Sequence, residues 1–394
     1  MIINEKIKYL VGTSRLNTEP FKPFDEKVIS FLESFSKELG LFKNLINYPD
    51  LKSLSFWCRK NNFLNMKKNY NSLDSKLGVG LIFHITPSNI PTNFAYSLIF
   101  GLLSGNANII KAPSKNFEQI NIICKILNKL LSKNISLKNK IAVVKYKNNE
   151  IFTKKMSSIC NARVIWGGDK TINDVRSHQI NERAIDLTFA DRYSFCIINP
   201  NKFKKLSELE FDNLIKKFYN DTYLVDQNAC SSPHLIVWLG NQNEKLKERF
   251  WQKLYEYIKI KYDLSESAVI EKYSDLCRYA VSLKNIKNIK NYSNLIYKIK
   301  LKNVDDNNHL NRGKWGLFFE YDVKDLNKIA KIINNKYQTV TYFGVEKSLI
   351  KNFVIKNKLK GIDRIVPIGQ SLDISLLWDG RDVITTLTRG LKIQ

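Results

Sequence analysis

The spacing of apolar residues divides the chain into an N-terminal helical stretch and a longer region of mixed character. Residues 1–75 are predicted to be mostly helical. In PFDEKVISFLESFSKELG, apolar side chains recur at helical spacing at Val28, Phe31, Leu32 and Phe35. From residue 78 the pattern changes. VGLIFHIT is a short apolar run with β-branched residues bounded by Gly and Pro, which indicates a buried strand.

Further strand-like runs alternate with helical patterns up to about residue 205. NFAYSLIFGLLSG predicts a helix that ends at Gly105, and NFEQINIICKILNKLLSK predicts an amphipathic helix. The apolar side of that second helix carries Ile120, Ile123, Cys124, Leu127 and Leu130. The other strand-like runs are NANIIKA, IAVVKY, ARVIW and SFCIIN. This alternation predicts an α/β fold with a parallel sheet covered by helices on both faces.

A second α/β set follows from about residue 206. It begins with the helical pattern ELEFDNLIKKFY and continues with strand-like runs at HLIVWLG, QTVTYFG and DRIVPIG. A chain of 394 residues with 44% hydrophobic content is too long for one ordinary domain. We therefore predict a first domain over 1–205, a second over 206–363, and a C-terminal segment over 364–394. That segment would pack back on the first domain or form an oligomer interface.

The net charge of +26 raises the question of a nucleic-acid partner. The lysines are spread over the whole chain alongside abundant Asn and Ile, as an AT-rich genome would give. No dense Arg/Lys block is interleaved with aromatic residues, and no nucleic-acid-binding motif is present. We expect no nucleic-acid partner, and we expect the positive field to attract anionic ligands such as phosphorylated cofactors.

Cysteine and histidine usage favours a reduced, metal-free protein. The six cysteines form no CxxC pair and the four histidines are scattered, so no zinc-type cluster is expected. The N-terminus MIINEKIKYL lacks the apolar run of a signal peptide, and FAYSLIFGLLSG is too short to span a membrane. These features predict a cytoplasmic protein with no membrane span.

One cysteine has unusual neighbours. Cys230 lies in DQNACSSP among small and polar residues, whereas the other cysteines have mostly larger or charged neighbours. A thiol in such a loop is open to a substrate, while a buried thiol is chemically inert. The alternative is a loop cysteine of no consequence.

Three further features lie where α/β sheets bind ligands. In VIWGGDKTINDV, Gly167 and Gly168 separate a strand from a helix and would let the backbone approach a phosphate; the alternative is an ordinary turn. In HITPSNIPTNF, two prolines bracket Asn89 and would fix its amide as an oxyanion donor; the alternative is a turn before a helix. Lys111 ends the strand NANIIKA, although lysine at a strand end is common.

The order of these motifs resembles the aldehyde dehydrogenase superfamily. PSNIP matches its Pro-Trp-Asn-Phe-Pro motif at three of five positions, SGNANIIKAPS is similar to its adenosine-binding segment, and DQNACSSP resembles its nucleophile loop. The chain is more similar still to the acyl-CoA reductases of bacterial luminescence operons, the LuxC type. That similarity rests on DQNACSSP, DRIVPIGQSLDISLLWDGRDVITTLTR and PDLKSLSFWCRK, and it runs from about residue 40 to the C-terminus.

The resemblance implies a role for each matching position. It implies a Rossmann-type cofactor domain, followed by a catalytic domain in which Cys230 is the nucleophile. Asn89 would be the oxyanion donor beside the Cys230 backbone amide, and Lys111 would hold the adenosine ribose. Gly167 and Gly168 would border the pyrophosphate of the cofactor.

Two departures from oxidising aldehyde dehydrogenases are informative. Those enzymes carry a ribose-binding Glu at the place of Ser114, and here Ser114 and Lys115 offer a hydroxyl and a positive charge to a 2'-phosphate. NADPH is therefore expected rather than NADH. Those enzymes also carry a general-base Glu where this chain has Thr188, which we count with the cofactor-binding residues. Because Thr does not deprotonate water well, an acyl-enzyme would wait for hydride or for another thiol.

The resemblance therefore implies NADPH-dependent reduction of a long-chain fatty acyl-CoA to the aldehyde through an acyl-cysteine. Three alternatives stay open. The substrate could be a short or polar acyl group in surface-polysaccharide synthesis, the acyl group could arrive from a partner acyl-protein synthetase, or the chain could be a catalytically silent scaffold. The family also implies a homo-oligomer.

Overall fold

The computed structural model describes residues 7–88, 90–146, 150–241 and 243–392. It divides into two compact units, one formed by Met1–Asp191 with Leu376–Gln394 and the other by Arg192–Ser375. The division lies near residue 191, whereas the sequence analysis placed it after residue 205. The difference arises because the strand that follows Asp191 pairs with later strands of the chain and not with the preceding one.

The described strands are β1 (Lys8–Val11), β2 (Lys76–Gly78), β3 (Leu81–Ile85), β4 (Ala107–Lys111), β5 (Ile141–Lys145), β6 (Ala162–Gly167), β7 (Ile185–Ala190), β8 (Tyr193–Ile198), β9 (Pro233–Leu239), β10 (Ile286–Tyr292), β11 (Ile296–Leu301), β12 (Leu317–Val323), β13 (Tyr337–Phe343), β14 (Arg364–Pro367), β15 (Leu377–Trp378), β16 (Arg381–Asp382) and β17 (Thr388–Gly390).

The described α-helices are α1 (Glu26–Gly40), α2 (Pro49–Trp57), α3 (Lys60–Lys67), α4 (Asn93–Leu103), α5 (Glu118–Leu131), α6 (Ile135–Lys138), α7 (Glu150–Ile159), α8 (Asp169–Arg176), α9 (Glu208–Thr222), α10 (Glu244–Lys261), α11 (Glu266–Ser282), α12 (Lys347–Lys356) and α13 (Val383–Thr386). In the part of the chain that the structure describes, none of these helices is both long enough and apolar enough to cross a bilayer.

The first unit is built on a sheet with the strand order β1-β5-β4-β3-β6-β7. Its strands run parallel except β1, which pairs antiparallel with β5. The predicted parallel sheet is confirmed, and β3 is buried along its whole length, as a strand covered on both faces must be. The edge strands β1 and β7 were not predicted, because β1 is only four residues long and β7 carries polar residues between its buried ones.

The helices of the first unit follow the sequence pattern closely. Asp25 caps α1 by accepting a hydrogen bond from the Lys27 backbone N–H. Four of the five residues expected on the apolar side of α5 are buried and Leu130 is half-buried. In α4, Gly101 packs against β4, where a Cβ atom would lie 1.7 Å from Asn108 Oδ1. This glycine allows the helix to approach the sheet.

The end of the chain returns to the first unit. Strand β17 pairs antiparallel with β2, and Asn106 Nδ2 donates to the Leu387 carbonyl at 2.9 Å. Residues 364–375, by contrast, belong to the second unit and include β14. The predicted C-terminal segment is thus divided between the two units, because β14 completes the second sheet.

The second unit contains a sheet with the strand order β10-β11-β12-β9-β8-β13-β14. Its strands are parallel apart from the antiparallel pair β10–β11. Apolar clusters cover both faces, and one of them contains the buried Trp238 and Trp251. Both indole N–H groups donate to Glu320 Oε1, so the carboxylate buried there is hydrogen-bonded.

Candidate functional site

The Cys230 loop joins α9 to β9 through a strained turn. After the short 3₁₀ turn Tyr223–Val225, Asp226 and Gln227 both adopt positive φ angles of 55° and 56°. Residues other than glycine rarely adopt this left-handed conformation, and such strain persists only where surrounding contacts enforce it. The contacts around this loop therefore decide where the cysteine is held.

The side chain of Gln227 supplies several of those contacts. It is buried, and its Oε1 accepts a hydrogen bond from the Gly316 backbone N–H at 2.8 Å. Its Nε2 donates to the carbonyls of Pro233 and Leu317, both at 3.3 Å. The Gln227 amide thus joins the loop to the first residues of β9 and β12. Gln227 lies three residues before Cys230 in DQNACSSP, and the sequence alone indicated no role for it.

The backbone of Cys230 is fixed from a neighbouring strand. Ser194 Oγ in β8 donates to the Cys230 carbonyl at 2.7 Å and accepts from the Thr339 N–H of β13 at 3.1 Å. The hydroxyl therefore bridges the loop to two adjacent strands. Because Ser194 is completely buried, this contact is shielded from water and holds the loop in one position.

Four of the other five cysteines are more deeply buried than Cys230. Burial raises the pKa of Cys124 and Cys160 to about 12, and it raises the pKa of Cys58 and Cys196 well above the usual value. These four thiols stay protonated at neutral pH and are inert. Among the cysteines, all of which the structure describes, Cys230 is half-buried and Cys277 is exposed. Cys230 is therefore packed less fully than four of the other five cysteines, whereas Cys277 is more exposed than Cys230.

His234 does not serve Cys230 as a base. It is buried, its Nδ1 lies 3.0 Å from the Gly313 carbonyl, and its ring stacks on Tyr193. Burial and the charge of Arg312 lower its pKa to about 3. The ring is therefore neutral at physiological pH and has a packing role.

The carboxyl edge of the first sheet brings together most of the other predicted residues. The chain adds β4 and β5 on one side of β3, and then β6 and β7 on the other side. This reversal creates a crevice beyond the carboxyl ends of β3 and β6, which is where open α/β sheets bind ligands. Asn89, the predicted oxyanion donor, follows β3 and lies outside the described residues.

Lys111, the last residue of β4, and Ser114, which follows it in the chain, lie at this edge. Thr86, just beyond β3, donates through Oγ1 to the Lys111 carbonyl at 2.6 Å. The Lys111 ammonium lies 4.6 Å from the centre of the Tyr146 ring, and burial lowers its pKa. Ser114 Oγ is 3.0 Å from Ser88 Oγ, while Lys115 is exposed.

Gly167 and Gly168 join β6 to α8 at the same edge. A Cβ on Gly167 would lie 3.0 Å from the Thr171 side chain, whereas a Cβ on Gly168 would meet nothing within 4 Å. The surface around Gly168 is therefore open to a ligand, next to the first turn of α8. Asp169 places a carboxylate in that turn. Thr188 is half-buried in β7, where it pairs with Ile165.

Comparison with known proteins shows the family to which the chain belongs. The model of the acyl-CoA reductase (LuxC) family matches residues 33–390. The long-chain acyl-protein thioester reductase of Photorhabdus luminescens is 23% identical over 299 residues, which cover 74% of this chain and 58% of the relative. The enzyme of the same name from Vibrio harveyi is 22% identical over 301 residues, with 74% and 59% covered. The chain thus spans less than two thirds of the length of these relatives.

Solved structures show the same fold at low identity. Lactaldehyde dehydrogenase from Escherichia coli superposes with a TM-score of 0.64 at 11% identity, covering 94% of this chain and 86% of that enzyme. An acetylating aldehyde dehydrogenase from Geobacillus thermoglucosidasius superposes with a TM-score of 0.62 at 13% identity, covering 94% and 92%. The predicted aldehyde dehydrogenase-like α/β fold is confirmed.

Proposed function

Since the chain belongs to the LuxC family of acyl-CoA reductases, we propose that it reduces a long-chain fatty acyl thioester to the aldehyde, with NADPH as reductant and Cys230 as nucleophile. The observation that carries this proposal is the Cys230 loop. It holds a half-buried thiol in a strained turn that buried hydrogen bonds fix from three strands. A catalytically silent scaffold would not need such a loop.

The first step is acyl transfer to Cys230. The thiolate attacks the carbonyl carbon of the thioester and forms a new carbon–sulfur bond. The original carbon–sulfur bond then breaks, and the leaving thiolate takes a proton from solvent. Asn89 is the proposed donor to the oxyanion that forms in between. One such donor is typically worth about 3 kcal/mol in the transition state.

The first unit has residues that fit a phosphorylated dinucleotide. Gly168 leaves open space beside the N-terminus of α8, which suits a pyrophosphate, although Asp169 opposes that charge. Lys111 would hold the ribose, and Ser114 with Lys115 would contact the 2'-phosphate. Gly167 and Thr188 would border the cofactor. When bound, NADPH supplies the hydride that converts the acyl group to the aldehyde.

The lifetime of the acyl-enzyme depends on the absence of a base for water. The resemblance to oxidising aldehyde dehydrogenases puts Thr188, which lies within β7, at the place of the usual general-base Glu. A neutral hydroxyl is a very weak base and therefore activates water poorly at neutral pH. The acyl-cysteine is therefore expected to survive until reduction or transfer to another thiol.

The names of the relatives bear on which molecule donates the acyl group. They are named acyl-protein thioester reductases, so an acylated protein partner, such as an acyl-protein synthetase, is a proposed donor beside acyl-CoA. Both donors present the same thioester carbon to Cys230. The two are distinguished by comparing acyl-CoA with an acylated synthetase as the source of label.

Intact-protein mass spectrometry tests the nucleophile. The wild-type protein, incubated with palmitoyl-CoA and no reductant, should gain the mass of one acyl group, and NADPH should remove it with release of the aldehyde. Cys230→Ser should gain no thioester-linked acyl group and should form no aldehyde. Cys277→Ser, which removes the exposed thiol of α11, is the matched control and should behave as wild type. Full aldehyde formation by Cys230→Ser would overturn the proposal.

A further inference from the structure

A turn after β14 is clamped between two charged side chains of the second unit. Asp221, at the end of α9, is almost fully buried and accepts hydrogen bonds from Gly369 N at 2.7 Å and Ser371 N at 2.9 Å. Gly369 has a φ of 99° and packs on the stem of Lys217, where a Cβ would lie 2.7 Å from Cγ. The turn is therefore held against the helix that leads into the Cys230 loop.

Arg364 holds the same turn from the other side. Its guanidinium donates to the carbonyls of Ser371 at 2.6 Å, Gln370 at 2.8 Å and Asp373 at 2.5 Å. Carbonyl oxygens fix the orientation of the planar guanidinium without neutralising its charge. The guanidinium is thus held in a fixed orientation and keeps its positive charge.

The sheet places Arg364 near the Cys230 loop. Arg364 is in register with Thr339 of β13. Thr339 N donates to Ser194 Oγ, and Ser194 Oγ donates to the Cys230 carbonyl. One strand pairing and two hydrogen bonds therefore connect the two residues.

The charges around Arg364 agree with this proximity. Burial lowers the pKa of Arg364, and the negative charges of Asp373, Asp221 and Cys230 oppose that shift. The ionisable groups whose negative forms act on the guanidinium are thus Asp221 from α9, Asp373 from the turn and Cys230 from the loop before β9. The attraction is mutual, so a charged guanidinium favours the ionised form of the sulfur.

We propose that Arg364 is the positive charge that stabilises the Cys230 thiolate, and that Asp221 is a positioning residue that holds the 369–373 turn on which Arg364 is anchored. The inference rests on the proposed role of Cys230 as nucleophile. The thiolate is needed twice in that reaction. It attacks the acyl carbon, and it leaves when the reduced carbon expels sulfur, with the electron pair of the carbon–sulfur bond returning to Cys230. A stabilised thiolate accelerates the second event, because thiols of lower pKa leave faster.

The test measures iodoacetamide alkylation of Cys230 against pH, residue by residue, by peptide mass spectrometry. It uses the whole protein without substrate or cofactor. In wild type the midpoint of the Cys230 profile should lie below about 8.5, the value for a free cysteine. In Arg364→Gln the midpoint should rise by about one pH unit, and the rate at pH 7 should fall about tenfold. Arg364→Lys, which keeps the charge and loses the fork, should lie between the two.

Two controls separate charge from general damage. Cys277 in the same sample is an exposed thiol of the same unit, and its alkylation rate should not change in any variant. Arg278→Gln removes an exposed arginine that pairs with Asp275, and it should leave the Cys230 profile unchanged. Labelling of Cys196, a buried thiol of the same unit, would reveal unfolding. In that case the wild-type midpoint and the Arg364→Lys profile test the proposal.

The proposal is overturned if the wild-type midpoint lies at or above that of free cysteine. It is also overturned if a folded Arg364→Gln alkylates like wild type. Either result leaves the nucleophile assignment intact, because that assignment depends on the acyl adduct and on Cys230→Ser. Conversely, a shifted profile in a protein that never forms the adduct would refute the proposed function and leave only the interaction between Arg364 and the thiol.

Discussion

Gln227 Oε1 accepts a hydrogen bond of 2.8 Å from the backbone N–H of Gly316, which ties the cysteine loop to the residue before β12. Gly316 has a φ of 88°, and a Cβ there would collide with the Leu295 carbonyl and the Tyr223 side chain. The glycine and the buried amide therefore depend on one another. The position of Cys230 depends on this distant segment as much as on its own neighbours.

Replacing Gln227 with Ala should both destabilise the protein and slow acylation. The change leaves the Gly316 N–H unpaired in a buried place, which typically costs about 1–3 kcal/mol. It also frees the strained turn before Cys230. We expect a lower urea midpoint and at least a tenfold slower gain of the acyl adduct. Gln252→Ala, an exposed change on α10, is the matched control. A variant that acylates at the wild-type rate would contradict the role given to this amide.

Asn89→Ala tests the proposed oxyanion donor. Because the interaction strengthens in the transition state, turnover should fall roughly a hundredfold or more. The KM for acyl-CoA should change little. Steady-state kinetics with acyl-CoA at saturating NADPH measure both quantities. An effect confined to KM would assign Asn89 to substrate binding instead.

The sequence predicted the parts of this architecture whose signals are local. The strand-helix alternation identified the first sheet, and the small residues around Cys230 indicated the loop that we propose to be reactive. Gln227 and Arg364 were assigned no role, because their importance comes from partners such as Gly316 and Ser371 that only the folded sheet brings close. The edge strand β7 was missed for a related reason. Its alternating polar residues are typical of a half-buried edge, and they obscure the apolar signal that marked the central strands.

Two glycines should respond differently to alanine. Gly168 has a φ of −69° and open space at its Cβ, so Gly168→Ala should change the free energy of unfolding by less than about 0.5 kcal/mol. It should nevertheless raise the KM for NADPH about tenfold if the pyrophosphate approaches the backbone there. Gly101→Ala should be destabilising by about 1–3 kcal/mol or more through its clash with Asn108. Urea unfolding and cofactor titration separate the two effects. An unchanged KM in Gly168→Ala would remove Gly168 from the cofactor site.

His84 should make the protein less stable in mild acid. Its Nδ1 lies 2.8 Å from Ser97 Oγ, its Nε2 lies 2.9 Å from Asn108 Oδ1, and Trp166 Nε1 donates to the same Ser97 oxygen. Burial lowers the pKa of His84 from 6.5 to about 4, so the unfolded chain binds the proton more readily than the folded one. The contribution of His84 to the free energy of unfolding is therefore complete above about pH 6.5. It decreases by about 3 kcal/mol as the pH drops towards 4.

The measurement for His84 is urea unfolding between pH 7.5 and 4.5. His84→Gln should be less stable at pH 7.5 but should lose less stability on acidification than wild type does. Asp221 acts in the opposite sense, because burial raises its pKa to about 6 and favours the folded state as the pH falls. Equal slopes in wild type and His84→Gln would show that the imidazole does not titrate between the two states.

Cofactor choice should depend on the residues after β4. The resemblance to oxidising aldehyde dehydrogenases puts Ser114 at the place of the ribose-binding Glu that would repel a 2'-phosphate, with Lys115 next in the chain. Lys145, at the end of β5, has its ammonium 2.6 Å from Asn116 Oδ1. The carboxyl edge therefore carries hydroxyls and cations suited to a phosphate. We expect a higher kcat/KM with NADPH than with NADH.

Ser114→Glu should erase or reverse that preference, because a carboxylate would face a phosphate that carries nearly two negative charges. Like-charge contacts of this kind cost several kcal/mol when they are desolvated. Ser158→Glu adds the same charge near the end of α7, which precedes the amino end of β6, and it should leave the preference unchanged. Steady-state kinetics with both cofactors measure the ratio in all three proteins. A wild-type preference for NADH, or an NADPH preference that survives in Ser114→Glu, would place the 2'-phosphate away from Ser114.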